Sequence, residues 1–309
     1  MMRSLFSAVS GLKNHQTAMD VIGNDISNVN TIAYKGNRVI FSDIYSQTIS
    51  AATAPSANTG GTNAEQIGLG MNISGIKTNI TAGSQESTGN TMDFYVNGEG
   101  YFVVKASDGN EYYTRNGSLD VDSSGNLIAG EGNYVMGVMV PDDKIGNLAL
   151  KDYGTDGTTP SDPNDVLAKI KINQDRFKDY SIDGNGVITA VVKATTDPGG
   201  TTPWTSTLKV GDQVEIGRIV MGTFINAAGL EKAGGSLYSA SANSGKVNYS
   251  FTNEGMAGAL KSGCLEMSNV DLATEMTNMI IMQRGFQANS RVITTSDTML
   301  EELVNLKRS

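Results

Sequence analysis

Both ends of the chain carry a seven-residue apolar repeat, and this feature constrains the fold more than any other. The N-terminal repeat runs over four heptads and ends near Asn28, where the side chains compete with helix by local hydrogen bonding. Its first position is occupied by Leu5, Leu12, Met19 and Ile26, and the position three residues later by Ala8, His15, Ile22 and Val29. This a/d spacing predicts an amphipathic helix with Ser4 as its N-cap.

The C-terminal segment has the same period. Its repeat contains Leu272, Met279, Phe286, Ile293 and Leu300, and the apolar stripe is widened by Met276, Ile280, Met282, Met299 and Leu303. No Pro interrupts the segment, and Ser268 or Asn269 is in place to cap its start. We therefore predict a helix from about Asp271 to Leu306, which would be ~50 Å long at a rise of about 1.5 Å per residue.

Two amphipathic helices at opposite ends of one chain can pair, and this leaves two interpretations open. In the first, they form an ordinary helical hairpin within one molecule. In the second, the stripes also bury against other copies of the chain, which the many Met residues favour because Met repacks readily against varied neighbours. The second interpretation predicts an intersubunit helical core made of Leu5, Leu12, Met19, Ile22, Ile26, Val29, Leu272, Met276, Met279, Phe286, Ile293, Leu300 and Leu303.

Between the helices the apolar pattern changes to short runs that are typical of strands. Strands are predicted at 94–96, 101–104, 112–114, 165–172, 187–193, 207–220 and 246–251. Turn sequences such as Asp108-Gly109-Asn110 separate them. Residues 50–66 have no periodic apolar face and indicate an extended connector, whereas 153–165 and 195–206 are rich in Gly, Thr, Pro and Asp and indicate surface loops.

These pieces predict an elongated α+β fold, in which paired, coiled-coil-like terminal helices are joined through an extended linker to a central all-β domain. The predicted parts are a helical core domain at 1–32 and 266–309, a linker at 33–75 and 245–265, a β-rich domain at 76–145 and 216–244, and a β-rich insertion at 146–215. The insertion is a candidate for a small outer domain.

Charge and the scarcity of Cys and His argue against several classes of function. The formal net charge of −9 leaves no basic surface for nucleic acid. Because the chain has one Cys, Cys264, and one His, His15, no disulfide or Cys/His zinc site can form within it. A triad mechanism would have to use His15, which we expect instead to pack in the helical core. We predict no catalytic residue, no metal and no cofactor.

The sequence predicts neither a cleaved signal peptide nor a membrane helix, and two competing classes of protein explain it less well. The N-terminus lacks the apolar region of a secretory signal peptide, and no stretch reaches the roughly 18 apolar residues of a membrane helix. A soluble enzyme is a competing class, but pocket and nucleotide motifs are missing. An adhesin or carbohydrate-binding β module is another, and it would account for residues 76–250 without explaining the helices.

One motif resembles an EF-hand calcium loop. It consists of Asp120, Asp122, Ser124 and Gly125, followed by Glu131. A calcium site of this kind needs a helix on each side, whereas the flanking residues here are typical of strands. We therefore predict a tight β-turn, which requires the same Asp and Gly residues.

Several separated motifs, in order along the chain, resemble those of the flagellar rod and hook protein family. They lie at 10–12, 23–31, 34–35, 98–104, 113–117, 224–226, 229–230, 266–272 and 283–289. The resemblance covers about 1–145 and 216–309. The residues that depart from those usual in the family are Asp25, Ser27, Ala33 and Leu119.

The resemblance implies a structural subunit that assembles helically into a hollow tube, with the terminal helices lining its inner core. Residues 268–272 and 304–308 look like those of the hook protein, a flexible joint that transmits motor torque to the filament. The extra length at 146–215 also favours the hook over the alternative, the shorter distal rod subunit or drive shaft.

The same resemblance implies partners and a location. The implied partners are other copies of the chain, flagellar rod proteins, the hook cap, hook-filament junction proteins and the type III export apparatus, with no nucleic acid and no membrane insertion. The implied location is outside the cell, in the hook at the basal body, reached without a cleaved signal peptide.

Overall fold

A computed structural model describes residues 2–55, 60–140, 167–193 and 209–306. It has an N-terminal helix, a β-rich middle and a C-terminal helix, so the predicted α+β class is confirmed. The chain divides into two compact units. We call the first, Met1–Val29, Lys35–Asn79 and Val270–Ser309, the helical unit, and the second, Asn30–Tyr34 and Ile80–Asn269, the β unit.

The helical unit contains both helices and two pairs of strands. Its elements are α1 (Met2–Ser27), β1 (Asn37–Asp43), β2 (Ser46–Ser50), β3 (Glu65–Gly68), β4 (Met71–Thr78) and α2 (Leu272–Leu306). Strands β1 and β4 pair antiparallel, as do β2 and β3. These strands lie within 33–75 or just beyond it, where the sequence predicts an extended linker. Their apolar alternation is weak, and every residue of β3 is exposed.

The helix limits agree closely with the predicted ones, but the predicted caps are wrong. Helix α1 begins at Met2, so Ser4 lies inside it. At the start of α2 the Asp271 carboxylate accepts the backbone N–H of Ala273 at 3.1 Å and the hydroxyl of Thr274 at 2.6 Å, so Asp271 is the cap. These hydrogen bonds, with that from Thr274 the largest contribution, hold the pKa of Asp271 below its usual value. Asn269, one of the two predicted caps, instead donates to the Thr81 carbonyl at 3.1 Å.

The described part of the β unit is made of short strands. They are β5 (Gln85–Ser87), β6 (Phe94–Asn97), β7 (Tyr101–Lys105), β8 (Glu111–Thr114), β9 (Leu119–Val121), β10 (Leu127–Ala129), β11 (Asn133–Met139), β12 (Ala168–Lys169), β13 (Phe177–Ile182), β14 (Val187–Val192), β15 (Gln213–Thr223), β16 (Glu231–Gly234), β17 (Leu237–Ser239), β18 (Asn248–Phe251), β19 (Ala259–Ser262) and β20 (Cys264–Glu266).

A central antiparallel sheet joins most of these strands in the order β13-β14-β15-β11-β7-β8-β17-β16. Two further pairs, β6 with β19 and β5 with β20, bring the beginning and the end of the unit together. The predictions at 94–96, 101–104, 112–114, 187–193 and 246–251 are confirmed as β6, β7, β8, β14 and β18.

Two predicted strands and the insertion need separate comment. Residues 165–166 and 207–208 of two predicted strands lie outside the described residues. Within the described parts, 167–172 contains the two-residue β12, and 209–220 contains β15, which begins at Gln213. The insertion is predicted at 146–215. Residues 141–166, which include its beginning, and residues 194–208 lie outside the described residues. The described part forms β12, β13 and β14 and the start of β15, which are hydrogen-bonded into the central sheet.

Strand β7 separates two apolar cores. Its Phe102 and Val104 side chains belong to one cluster, and its Tyr101 and Val103 side chains to the other. Because successive side chains of a strand point to opposite faces, a strand buried on both sides must be apolar at every position. The unbroken sequence Tyr-Phe-Val-Val at 101–104 meets this requirement, and all four residues are almost completely buried.

The EF-hand-like motif forms a hairpin between β9 and β10, with a turn at its tip. The Asp122 carboxylate accepts the backbone N–H groups of Ser124 and Asn126, each at 2.8 Å, and the Asn126 side-chain amide at 2.9 Å. These bonds, the one from the Asn126 side chain foremost, lower the pKa of Asp122. The predicted β-turn is thus confirmed, and the Asp122 carboxylate accepts its hydrogen bonds from groups of the turn itself.

A buried ion pair holds the β unit together. Glu266 is fully buried; one of its carboxylate oxygens accepts the Gly83 backbone N–H at 2.9 Å, and the other lies 3.5 Å from an Arg115 guanidinium nitrogen. Its backbone carbonyl accepts the Ala33 N–H at 2.8 Å. Arg115 also donates to the Gly98 carbonyl at 2.8 Å. Glu266 therefore contacts three parts of the chain that are distant from it in sequence.

Candidate assembly surface

The buried face of α1 is made mostly of small and polar residues, with Ile22 as the one large apolar side chain among its described positions. The buried positions are Ala8, Gly11, Asn14, Ala18, Ile22 and Asp25. Two of them hold the neighbouring strands: the Asn14 side-chain amide donates to the Met71 carbonyl at 2.6 Å, and the Asp25 carboxylate accepts the Asn37 N–H at 2.9 Å. The polar groups on this face therefore have partners, and α1 is fixed against β1 and β4.

Helices α1 and α2 approach closely through two glycines. A Cβ on Gly11 would overlap the side-chain amide of Asn289, and one on Gly285 would lie 2.9 Å from His15 Nε2. Because a residue later in α1 meets a residue earlier in α2, the two helices run antiparallel. We call this line of contact the seam. A larger side chain at either glycine would require the facing Asn289 or His15 side chain to move.

The predicted core residues lie mostly beside the seam. On α1, Ile22 is buried, whereas Leu5, Leu12, Met19 and Ile26 are only partly buried, as is Val29 just beyond the end of the helix. On α2, Met279, Phe286, Ile293 and Leu300 are partly buried, and Leu272, Met276 and Leu303 are 43%, 52% and 50% exposed. Within one chain the helix pair thus leaves much of its large apolar repeat accessible.

Further apolar side chains outside the predicted intersubunit core are exposed as well. On α2 they are Ile280, Ile281, Val292, Met299, Val304 and Leu306, and on α1 they are Phe6 and Val9. A helix that exposes apolar residues on several sides is typical of one that packs against other chains. Neither helix among the described residues is long and apolar enough to cross a membrane.

His15 lies in the seam among groups without charge. Its Nδ1 is 3.4 Å from the Met282 sulfur, and its ring meets that of Phe41 edge-on with centroids 5.9 Å apart. Burial lowers the pKa of His15 below its usual value of 6.5. The neutral ring is therefore the form that fits between the helices.

This environment predicts how stability depends on pH. Because the folded pKa is lowered, the unfolded chain binds the proton more readily, and the contribution of His15 is present above about pH 6.5 and lost as the pH falls through the folded pKa. We expect the Tm of the unaltered chain, relative to that of His15→Gln, to fall between pH 7.5 and pH 5. Parallel Tm profiles, or equal stability of assemblies of the two chains over that range, would contradict this.

Three protein-family models match separate parts of the chain. Residues 5–35 match the flagella basal body rod protein model, 95–190 match the D1 domain of flagellar hook proteins FlgE/F/G, and 261–306 match the C-terminal model of basal body rod FlgEFG proteins. These segments include both helices and the β7 region, where the resemblance was found.

Curated relatives match along the whole chain. The flagellar basal-body rod protein FlgG of Bacillus subtilis is 42% identical over 309 residues, which is 100% of each protein. The flagellar hook protein FlgE of Borreliella burgdorferi is 30% identical over 442 aligned positions, covering 99% of this chain and 100% of the relative. The FlgG of the same organism is 31% identical over 310 positions, covering 100% of each.

The full-length match to a rod protein corrects one argument from the sequence. The extra length at 146–215 was expected to favour the hook over the rod. The alignment with a relative named as a rod protein runs from end to end of this chain, so the length at 146–215 does not by itself exclude a rod protein. The matching segments and full-length relatives together identify the family: the chain belongs to the flagellar hook and basal-body rod proteins, which are structural proteins and not enzymes.

Proposed function

We propose that this chain is a distal rod subunit of the flagellar basal body, which self-assembles into a straight tube that acts as a drive shaft. The observation that carries this proposal is the 42% identity to a basal-body rod protein, in an alignment over 309 positions that covers 100% of both chains. The hook relative aligns over 442 positions, so it contains segments that this 309-residue chain does not.

The hook subunit is the second candidate. It is supported by the 30% identity to a hook protein across 99% of this chain and by the resemblance of 268–272 and 304–308 to the hook type. In either role the terminal segments, 1–32 and 266–309, would form the inner tube and the β-rich residues the outer layer. The partners would be other copies, neighbouring rod or hook proteins and the flagellar export apparatus.

The exposed apolar side chains of α2 support assembly through the helices. Leu272, Met276 and Leu303 are each at least 43% exposed in the single chain, so completing their burial would contribute about half of the ~1.5–3 kcal/mol of a fully buried Leu or Met side chain. A tube requires contacts in which one patch meets a different patch on the next copy, because such contacts continue without closing. Two helices with different exposed faces provide two such patches.

The first test is electron microscopy of the concentrated, purified chain beside a version that lacks 1–29 and 270–309, which removes both helices and keeps Glu266 in the β unit. Tubes from the full chain and monomers from the shortened one are expected. Monodisperse particles from both would contradict self-assembly through the helices.

A second experiment separates rod from hook. Basal bodies from a strain that lacks this chain are imaged, and the chain is restored from a plasmid as the control. A rod subunit predicts that the rod itself is shortened and that the hook is absent. A complete rod without a hook would instead establish the hook role.

A further inference from the structure

We propose that in the assembled tube the outer face of α1 of one copy docks on the C-terminal part of α2 of a second copy, in an antiparallel register set by Lys13 against Asp297 and Glu301. This inference rests on the proposed self-assembly and adds to it the pair of surfaces that meet and their register. We call the two surfaces the basic face and the acidic face.

The basic face consists of Phe6, Val9 and Lys13 on α1. Residues at these spacings, three and four apart, lie on one side of a helix. All three are exposed, Phe6 by 64% and Val9 by 45%. A large aromatic ring and a Val beside a cation form a surface that suits an apolar and acidic partner.

The acidic face consists of Asp297, Glu301 and Val304 on α2. Their spacings are four and three, so they too share one side of the helix. The two carboxylates are exposed, and Val304 is 61% exposed. This face has the opposite charge and, like the basic face, combines apolar and charged side chains.

These charges are not satisfied within the protomer. Among the described residues, Lys13, Asp297 and Glu301 form no ion pair. The register of the seam explains why. It places Gly11 opposite Asn289 and His15 opposite Gly285, which puts Lys13 opposite Gln287.

Measured along α2 from Gln287, Asp297 is ten residues away and Glu301 is fourteen residues away. At about 1.5 Å per residue these are separations of ~15 and ~21 Å, too far for a lysine side chain to reach. A pairing of Lys13 with either of these carboxylates can therefore form only between copies.

One antiparallel register satisfies several contacts at once. If Lys13 lies opposite Asp297 in an antiparallel register, Phe6, seven residues earlier in α1, lies opposite Val304, seven residues later in α2. In the other direction, Asp20 is seven residues after Lys13, and the matching position on α2 is Ser290, next to Arg291. An apolar contact and a second pair of opposite charges thus follow from the first pair, and no like charges are brought together among these residues.

The proposal is tested by reversing charges and measuring the critical concentration for tube formation by sedimentation. Lys13→Glu alone, or Asp297→Lys with Glu301→Lys, should raise it about tenfold or more, because like charges would then face each other. The triple variant should recover assembly to within about threefold of the unaltered chain, as coupled pairs do in mutant cycles.

Mixing shows that the pairing is between copies. The Lys13→Glu variant and the Asp297→Lys, Glu301→Lys variant should assemble better together than either does alone. Arg38→Glu on β1 and Glu302→Lys on a different side of α2 are matched controls for the change in charge, and both should leave the critical concentration within about twofold.

The outcomes distinguish this inference from the proposed function. If the unaltered chain forms no tubes, self-assembly fails. If it forms tubes and the reversals act no more strongly than the controls, or the triple variant is no better than its parents, the charge register is wrong while self-assembly stands.

Discussion

Replacing Glu266 by Ala should lower the free energy of unfolding of the full chain by about 3–5 kcal/mol, because it leaves the buried Arg115 without its counter-charge. The two side chains are 0% and 4% exposed, so water cannot replace the lost partner. The Gly83 N–H, 2.9 Å from the carboxylate, would also lose its acceptor. The quantity to measure is the urea midpoint and slope of the two chains.

Two variants make this prediction specific. Glu86→Ala removes a carboxylate from β5, the strand paired with β20, at an exposed position, and should change stability by less than about 0.5 kcal/mol. Glu266→Gln keeps an acceptor for the Gly83 N–H. Its loss in the free energy of unfolding should lie between those of Glu266→Ala and Glu86→Ala. A loss below about 1 kcal/mol for Glu266→Ala would mean that the ion pair is replaceable.

Introducing Asp at both Leu272 and Met276 should raise the critical concentration for tube formation at least about 100-fold while the single chain keeps its stability. Both side chains are exposed in the protomer, so the change costs little there. In a tube they would be buried against another copy, and an unpaired carboxylate in an apolar contact is strongly unfavourable. Sedimentation and thermal unfolding of the same samples measure the two effects separately.

Thr277→Asp is the matched control, because it places a carboxylate at an adjacent exposed position that is already polar. Phe286→Asp and Ile26→Asp should also block assembly, but both positions are partly buried in the protomer and should destabilise the single chain as well. Normal tubes from the Leu272, Met276 double variant would show that this end of α2 faces solvent in the assembly.

The extent of the helices and the identity of the main strands could be predicted because both follow from apolar periodicity. Helix α2 begins within one residue of its predicted start, and the unbroken apolar run of β7 identified a strand buried on both faces. The β2–β3 hairpin could not be found in this way. Nearly all of its residues are exposed, so it has no apolar alternation to detect.

The seam escaped prediction for a related reason. Periodicity identifies large apolar side chains, whereas the closest contacts between α1 and α2 are made at Gly11 and Gly285, where the absence of a side chain matters. The Glu266–Arg115 pair was missed because sequence alone does not show that a charged residue is buried. The Asp271 cap could have been predicted from the sequence, because Asp is a favoured N-cap residue and Asp271 lies one position before the start of α2.

The position of Glu266 has a consequence for the order in which the chain can fold. Strand β20 pairs with β5, β19 with β6, and the Ala33 N–H reaches the Glu266 carbonyl, so the β unit is closed by contacts between its first and last segments. Contacts between distant residues form late and slowly because the loop between them must first be closed. During synthesis from the N-terminus, the β unit therefore cannot be completed until Glu266 has been made, although its strands from β5 onward are made much earlier.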